Sequence, residues 1–173
     1  MKKSLIVAFA VTIILTGCST IQSIVRSTFP YTATLIIPAS SQLGTALSAT
    51  SSASSFDQIF TGQGGNNARV EQIRITSAKL EAANPSSQNL GVFQSVKLYL
   101  SSDGSQEIMV ASREDVSAGT ANNLVLDVNS SRFLDEYLKG TNVKVRMEYV
   151  LRNQLTVDAS MKASLNFSSE PAQ

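Results

Sequence analysis

Apolar and polar residues alternate most strictly toward the C-terminal end of the chain. From Leu155 to Phe167 the odd positions are Leu, Val, Ala, Met, Ala, Leu and Phe, while the even positions are Thr156, Asp158, Ser160, Lys162, Ser164 and Asn166. Side chains of a strand point alternately to its two faces, so this run predicts a strand with one buried and one solvated face. Val143, Val145, Met147, Tyr149 and Leu151 repeat the pattern one segment earlier, with Asn153 and Gln154 as the expected connection.

Weaker versions of the same pattern recur upstream. Tyr31 to Ile37 is β-branched and aromatic and lies between Pro30 and Pro38, which suits an edge strand. Residues 39–55 are rich in Ala, Ser and Thr and fit either a flexible loop or a short strand near 45–50 with a loop after it. Ser55-Phe56-Asp57-Gln58 has capping-box spacing and predicts one helical turn, followed by a turn at Gly62, Gly64 and Gly65. Between Ala68 and Ala82 the apolar positions change parity, from Ile73 and Ile75 to Ala78, Leu80 and Ala82, as a β-bulge would require. Asn84 to Asn89 is a turn cluster. Strands are then expected at 92–100, with Lys97 and Tyr99 outward, at 107–111 and at 122–128, with a hairpin loop at 101–105 and a polar loop at 112–119.

One segment has helical spacing. In Ser130–Lys139, Phe133, Leu134, Tyr137 and Leu138 form an apolar stripe, Ser130 or Ser131 is placed to cap it, and Gly140 stops it. Seven or eight strands, short turns and one short helix at about 130–139 predict an all-β fold, an antiparallel immunoglobulin-like β-sandwich.

The first residues follow a different rule. Lys2 and Lys3 precede an apolar run from Leu5 to Leu15, the layout of a secretory signal peptide. The run is too short to span a bilayer, which takes roughly 20 residues. It ends in Leu15-Thr16-Gly17-Cys18, which holds the chain's single cysteine and resembles the lipobox of bacterial lipoproteins. Small residues at Thr16 and Gly17 let the chain lie extended in a protease cleft, and the Cys18 thiol is the nucleophile for a diacylglyceryl group. The resemblance implies cleavage before Cys18, acylation of its new amine, and anchoring of the protein to a membrane through that lipid. The competing readings are a plain signal peptide followed by an incidental cysteine, or a buried apolar segment. Ser19, not Asp, follows the cysteine, which by family analogy favours the outer membrane; the absence of an acidic cluster after Cys18 favours its periplasmic face.

The expected organisation is a signal peptide at 1–17, a lipidated N-terminus and spacer at 18–28, the sandwich at 29–168 and a polar tail at 169–173. With the lipobox, the 133–138 helix and the two closing strands, the chain resembles small Bacteroidota-type envelope lipoproteins with immunoglobulin-like domains and no assigned activity.

Composition narrows the chemistry. Removing Lys2 and Lys3 takes the 14 basic residues to 12 against 13 acidic ones, a net charge of about −1, without the basic patch that nucleic acid requires. With Cys18 carrying lipid, no disulfide can form. The chain contains no His and no Trp, which removes the commonest general base and metal ligand and the best sugar-stacking side chain.

The remaining candidates are sparse. Glu114 and Asp115, with Asp103, offer oxygens for a calcium ion but lack EF-hand spacing, so solvated loop acids are the preferred reading and no metal or other cofactor is expected. Gly62 to Gly65 lacks the Lys-Ser/Thr of a phosphate loop. No catalytic residue stands out. Tyr99 and Lys162, on polar strand faces, are candidate surface contacts. The first expectation is therefore a non-catalytic, membrane-anchored envelope lipoprotein that binds an envelope partner or serves envelope assembly. The alternatives are a glycan- or nutrient-binding module of an outer-membrane uptake system and a carboxylate-dependent hydrolase.

Overall fold

The alternating runs lie side by side, because each has one apolar face that only another sheet can cover. A computed structural model describes residues 27–52, 70–103, 105–138 and 142–171. They form eight strands: β1 (Ser27–Ile37), β2 (Ala46–Ser52), β3 (Val70–Asn84), β4 (Phe93–Ser101), β5 (Ile108–Arg113), β6 (Asn123–Val128), β7 (Lys144–Leu151) and β8 (Ala159–Pro171). All ladders are antiparallel, in the order β1-β8-β3-β6-β5-β4-β7-β2.

The sheet turns a corner at β6. Asn123 to Leu126 pair with β3, whereas Asp127 and Val128 pair with β5. One layer therefore holds β1, β8 and β3 and the other β5, β4, β7 and β2, an antiparallel β-sandwich with a shared interior. The edge strands β1 and β2 come close to each other opposite the corner. Pro30 is tolerated because β1 pairs on one side only, with β8. The ambiguous 39–55 region supplies β2, which pairs with β7.

The interior is the one the alternation implies. Val145, Met147, Tyr149 and Leu151 of β7 are buried, as are Ala159, Met161, Ala163, Leu165 and Phe167 of β8. Tyr149 meets the Phe93 ring edge-on at 5.8 Å, and its hydroxyl shares a buried 3.1 Å hydrogen bond with Ser41 Oγ. In β3 the register against β8 shifts between Glu71 and Arg74, between Ile75 and Ser77, and between Ala82 and Asn84. The second shift moves burial from Ile73 and Ile75 to Ala78, Leu80 and Ala82, as the parity change demands.

Several expectations need correction. The helix shrinks to a single turn, α1 (Asp135–Leu138). Residues ahead of it pair with the irregular start of β3 instead: Leu134 N–H donates to Ile73 O at 2.8 Å, and Ile73 N–H donates to Asp135 Oδ2 at 3.1 Å. Gln72 has φ = 57°, and this left-handed turn leaves the Ile73 backbone free to bond outside the β8 ladder. Leu134, Tyr137 and Leu138 are buried, but Phe133 precedes the turn and is exposed, with the Arg74 guanidinium 4.0 Å above its ring. Neither Ser130 nor Ser131 caps the turn; Ser131 N–H donates to Asn129 Oδ1.

Val157, expected inward, is exposed. The chain bends at residues 156–157, Asp158 Oδ1 accepts from Ala39 N–H at 2.8 Å, and β8 starts only at Ala159. Of the expected polar tail at 169–173, residues 169–171 belong to β8, which runs to Pro171 with Ser169 buried, and 172 and 173 lie outside the described residues. A 3-10 turn at Leu90–Val92, with Asn89 as N-cap, ends the 84–89 turn cluster. The signal peptide, the lipobox, the 55–60 helical turn, the glycine turn at 62–65, Gly104, Lys139 and Gly140 lie outside the described residues.

Strand directions give the sandwich two distinct ends. The connections 38–45, 85–92, 114–122 and 152–158 share one end; Ser27, the 102–107 hairpin, the 129–143 connection and Pro171 share the other.

Candidate functional site

The outward positions of β7 and β4 are paired across the ladder: Glu148 with Lys97, Arg146 with Tyr99, and Lys144 with Ser101. Strand alternation puts all six on the solvent side of the layer, opposite the buried Met147 and Leu98. Arg146 is the hub. Its guanidinium lies 4.1 Å above the Tyr99 ring, donates to both Glu107 oxygens (2.8 to 3.0 Å), and reaches Glu148 Oε2 at 3.4 Å. At the other side of Glu148, Lys97 Nζ pairs with Glu114 Oε1 at 3.3 Å.

The electrostatics follow from these contacts. The hydrogen bonds from Arg146 hold the Glu107 carboxyl below its ordinary range, with burial opposing. Those to Glu107 raise Arg146 in turn, and the bond to Glu114 raises Lys97. The shifts of Glu107, Arg146 and Lys97 all favour their charged forms. A bidentate guanidinium–carboxylate pair on an aromatic ring is a geometrically fixed arrangement of charge.

Tyr99 sits in this cluster, its ring capped by Arg146. Lys162 does not join it. It projects from β8 on the outer side of the opposite layer, across from Thr34 and Glu81. There Lys79 Nζ bonds Glu81 Oε1 at 2.6 Å, and Glu81 is held below the ordinary carboxylate range chiefly by that bond, with Lys162 adding a weaker charge effect. The two candidate contact residues therefore belong to different faces. Asp103 and Glu114 lie at opposite ends of the β4–β5 hairpin, and Asp103 instead accepts from the Asn142 amide. No group of three His, Cys, Asp or Glu suited to a metal exists among the described residues. Leu15, Thr16, Gly17 and Cys18 lie outside them. Sequence reading missed Arg146 and Glu107. Alternation marks Arg146 as outward, but nothing in it shows that the hairpin loop brings Glu107 alongside.

The end carrying 38–45, 85–92, 114–122 and 152–158 is cross-braced. Arg152 donates through Nη1 to Gly91 O (3.3 Å) and through Nη2 to Val116 O (2.9 Å), while its backbone N–H bonds Val92 O at 2.7 Å. Gln154 Nε2 donates to the carbonyls of Ala39 and Ser41. At Gly91 a Cβ would stand 2.1 Å from Ala118 O, so only glycine lets these two loops touch.

No protein-family model matches the chain, and no curated protein matches it. Among solved structures, a chain of Desmodium yellow mottle tymovirus aligns over 86% of this chain and 84% of its own, with 8% identity and a TM-score of 0.31.

Proposed function

We propose that this protein is a lipid-anchored envelope lipoprotein whose β-sandwich is a non-catalytic binding module, tethered by lipid on Cys18 and engaging a partner in the envelope or in its assembly. The observation that carries the reading is the Leu15-Thr16-Gly17-Cys18 sequence after a short basic and apolar leader, with the chain's single thiol at its end. Acyl chains hold a protein by roughly 0.8 kcal/mol per buried methylene, and two or more chains are needed for stable attachment. The outer membrane, facing the periplasm, is the proposed location. Ser27 starts β1 nine positions after Cys18, a stretch that reaches at most about 32 Å. The domain would therefore stay beside the membrane. The ion-paired face of β7 and β4 suits a binding role, since Arg146 is fixed in place by Glu107 and the Tyr99 ring.

The test is Cys18→Ser. Metabolic labelling with a fatty acid should mark the wild type and leave the variant unlabelled, and the variant should leave the membrane pellet after a salt wash. Equal labelling, or a variant that stays in the pellet, would end the lipoprotein reading.

A further inference from the structure

We infer that Asn129 is an N-glycosylation site, whose carboxamide nitrogen takes an oligosaccharide from an isoprenoid-diphosphate donor, with Asp127 as a charged handle for the transferase. The inference rests on the export that the leader implies, and not on lipid at Cys18.

Three asparagines are followed two positions later by Ser, the acceptor pattern of this chemistry: Asn84, Asn129 and Asn166. Their surroundings separate them. Asn84 is followed by Pro85, which the pattern excludes. Asn166 lies inside β8, paired with Pro30 on one side and Ser77 on the other. Its Nδ2 donates to Ser77 Oγ at 2.8 Å, and the next residue, Phe167, is fully buried. Reaching Asn166 would mean opening the sheet.

Asn129 is different in each respect. It ends the β6 ladder, its N–H donating to Val110 O at 3.0 Å, and residues 129–133 are all exposed. Ser131 donates to Asn129 Oδ1 from its hydroxyl at 2.6 Å and from its backbone N–H at 3.2 Å. The hydroxyl that the pattern demands is thus already set against the carboxamide. Arg74 Nη1 holds the turn from below through Ser130 O at 2.8 Å. Asn129 Nδ2 donates to no group among the described residues. A bulky sugar can stand on such a turn without disturbing the core.

Two further features favour the transfer. Strand alternation puts Asp127 on the same outward side as Asn129, and its largely exposed carboxylate meets Arg113 at 3.5 Å. Arg113 bonds Val125 O more closely, at 2.9 Å, so Asp127 can turn to a cationic enzyme site. Isoprenoid-diphosphate donors are held in a membrane, and Asn129 lies at the end of the sandwich where Ser27 follows the leader. In the transfer, Nδ2 bonds to the anomeric carbon of the first sugar as the bond from that carbon to the diphosphate oxygen breaks. The lipid diphosphate leaves with the electron pair, and Nδ2 gives one proton to solvent.

The test digests the full-length protein from its native cells with trypsin and reads the peptides by mass spectrometry. Peptide 114–132 contains Asn129 and peptide 163–173 contains Asn166. The first should carry one oligosaccharide, placed on Asn129 by fragmentation, and the second should be bare. Asn129→Gln and Ser131→Ala should each abolish the added mass, while Ser131→Thr, which keeps the hydroxyl, should retain it; unchanged thermal melting checks the fold of each. Asp127→Asn should lower the modified fraction severalfold. A bare peptide 114–132, sugar on another asparagine, or sugar that survives Ser131→Ala would overturn the inference, and an unchanged fraction in Asp127→Asn would overturn the role of Asp127. The N-terminal peptide of the same digest judges the anchor separately. A bare Asn129 beside a lipid-modified Cys18 sinks this inference alone, and sugar on Asn129 beside an unmodified Cys18 sinks the anchor alone.

Discussion

The two outer faces of the sandwich are built by the same alternation and have opposite character. On β7 and β4 the outward residues are long and charged, and they lock together through Arg146: a ring beneath it, Glu107 in front and Glu148 beside it. On β1 and β8 most outward residues are short and uncharged, with Thr32 facing Ser164 and Thr34 facing Lys162, and the neighbouring β3 carries the Lys79–Glu81 ion pair. The difference shows what a polar strand face leaves undecided. Alternation assigns side chains to solvent but says nothing of whether they meet. That depends on register across strands and on loops, and here a residue from the 102–107 hairpin completes the cluster. One face is consequently a fixed arrangement of charge, while the other presents mostly hydroxyl and amide groups tied by neutral bonds, such as Asn166 Nδ2 to Ser77 Oγ at 2.8 Å.

The largest expected effect tests the premise of this comparison, that inside and outside are assigned correctly on β8. Met161 is fully buried, paired with Leu35 on β1 and Ala82 on β3. Met161→Asp would place a carboxylate in that interior and should cost several kcal/mol, much of the roughly 5–15 kcal/mol that holds a domain together. Denaturant titration should show a loss of cooperative unfolding or a midpoint shifted far down. A midpoint close to that of the wild type would mean that the layers do not pack as described, and the contrast between faces would go with them.

How far the sequence reveals this molecule follows the same division. The strands are legible where period two runs uninterrupted, as in β7 and β8, and even the β3 bulge shows as a change of parity at Ile75 to Ala78. The short helix is overread. Phe133, Leu134, Tyr137 and Leu138 have helical spacing, but Leu134 and Asp135 are taken by the Ile73 backbone across the fold, and a contact over 60 positions away in sequence leaves no local trace. Val157 fails for a like reason: Asp158 turns aside to reach Ala39. Of the candidate contacts, Tyr99 is found as an outward residue, but its covering by Arg146 is invisible without the register. Nor does a sequence show that four loops gather at one end and are braced by Arg152.

A middle-sized effect should separate the faces directly. Arg146→Ala removes the cation from the Tyr99 ring and the bidentate bond to Glu107 together. Exposed ion pairs and exposed cation–π contacts each contribute up to about 1 kcal/mol, so the expected loss is about 1 to 2 kcal/mol. The loss should depend on pH with a definite sign. Glu107 has its carboxyl held below the ordinary range when folded, so its contribution is complete above that range and disappears as pH falls through the lowered value. The stability gap between wild type and Arg146→Ala should therefore be constant around neutrality and narrow in acid. A gap that widens in acid would show that Glu107 is not the partner. Glu107→Gln should reproduce most of the acid-sensitive part and leave the Tyr99 contact in place.

The smallest effect belongs to the other face. Lys162 follows Met161 directly, yet its side chain is in solvent, across from Thr34 and Glu81. Lys162→Asp reverses a charge beside Glu81, and like charges directly opposite on neighbouring strands repel. Lys79 remains bonded to Glu81, however, and that bond is the main cause of the lowered Glu81 pKa, with Lys162 a lesser one. The stability change should stay under about 1 kcal/mol, as exposed substitutions usually do. Followed by NMR, the Glu81 titration should move up toward the ordinary carboxylate range without losing the influence of Lys79. If Lys162→Asp unfolds the domain while Met161→Asp is tolerated, the register of β8 is inverted. If Lys162→Asp costs as much as Arg146→Ala, the two faces are equally interlocked and the contrast between them fails.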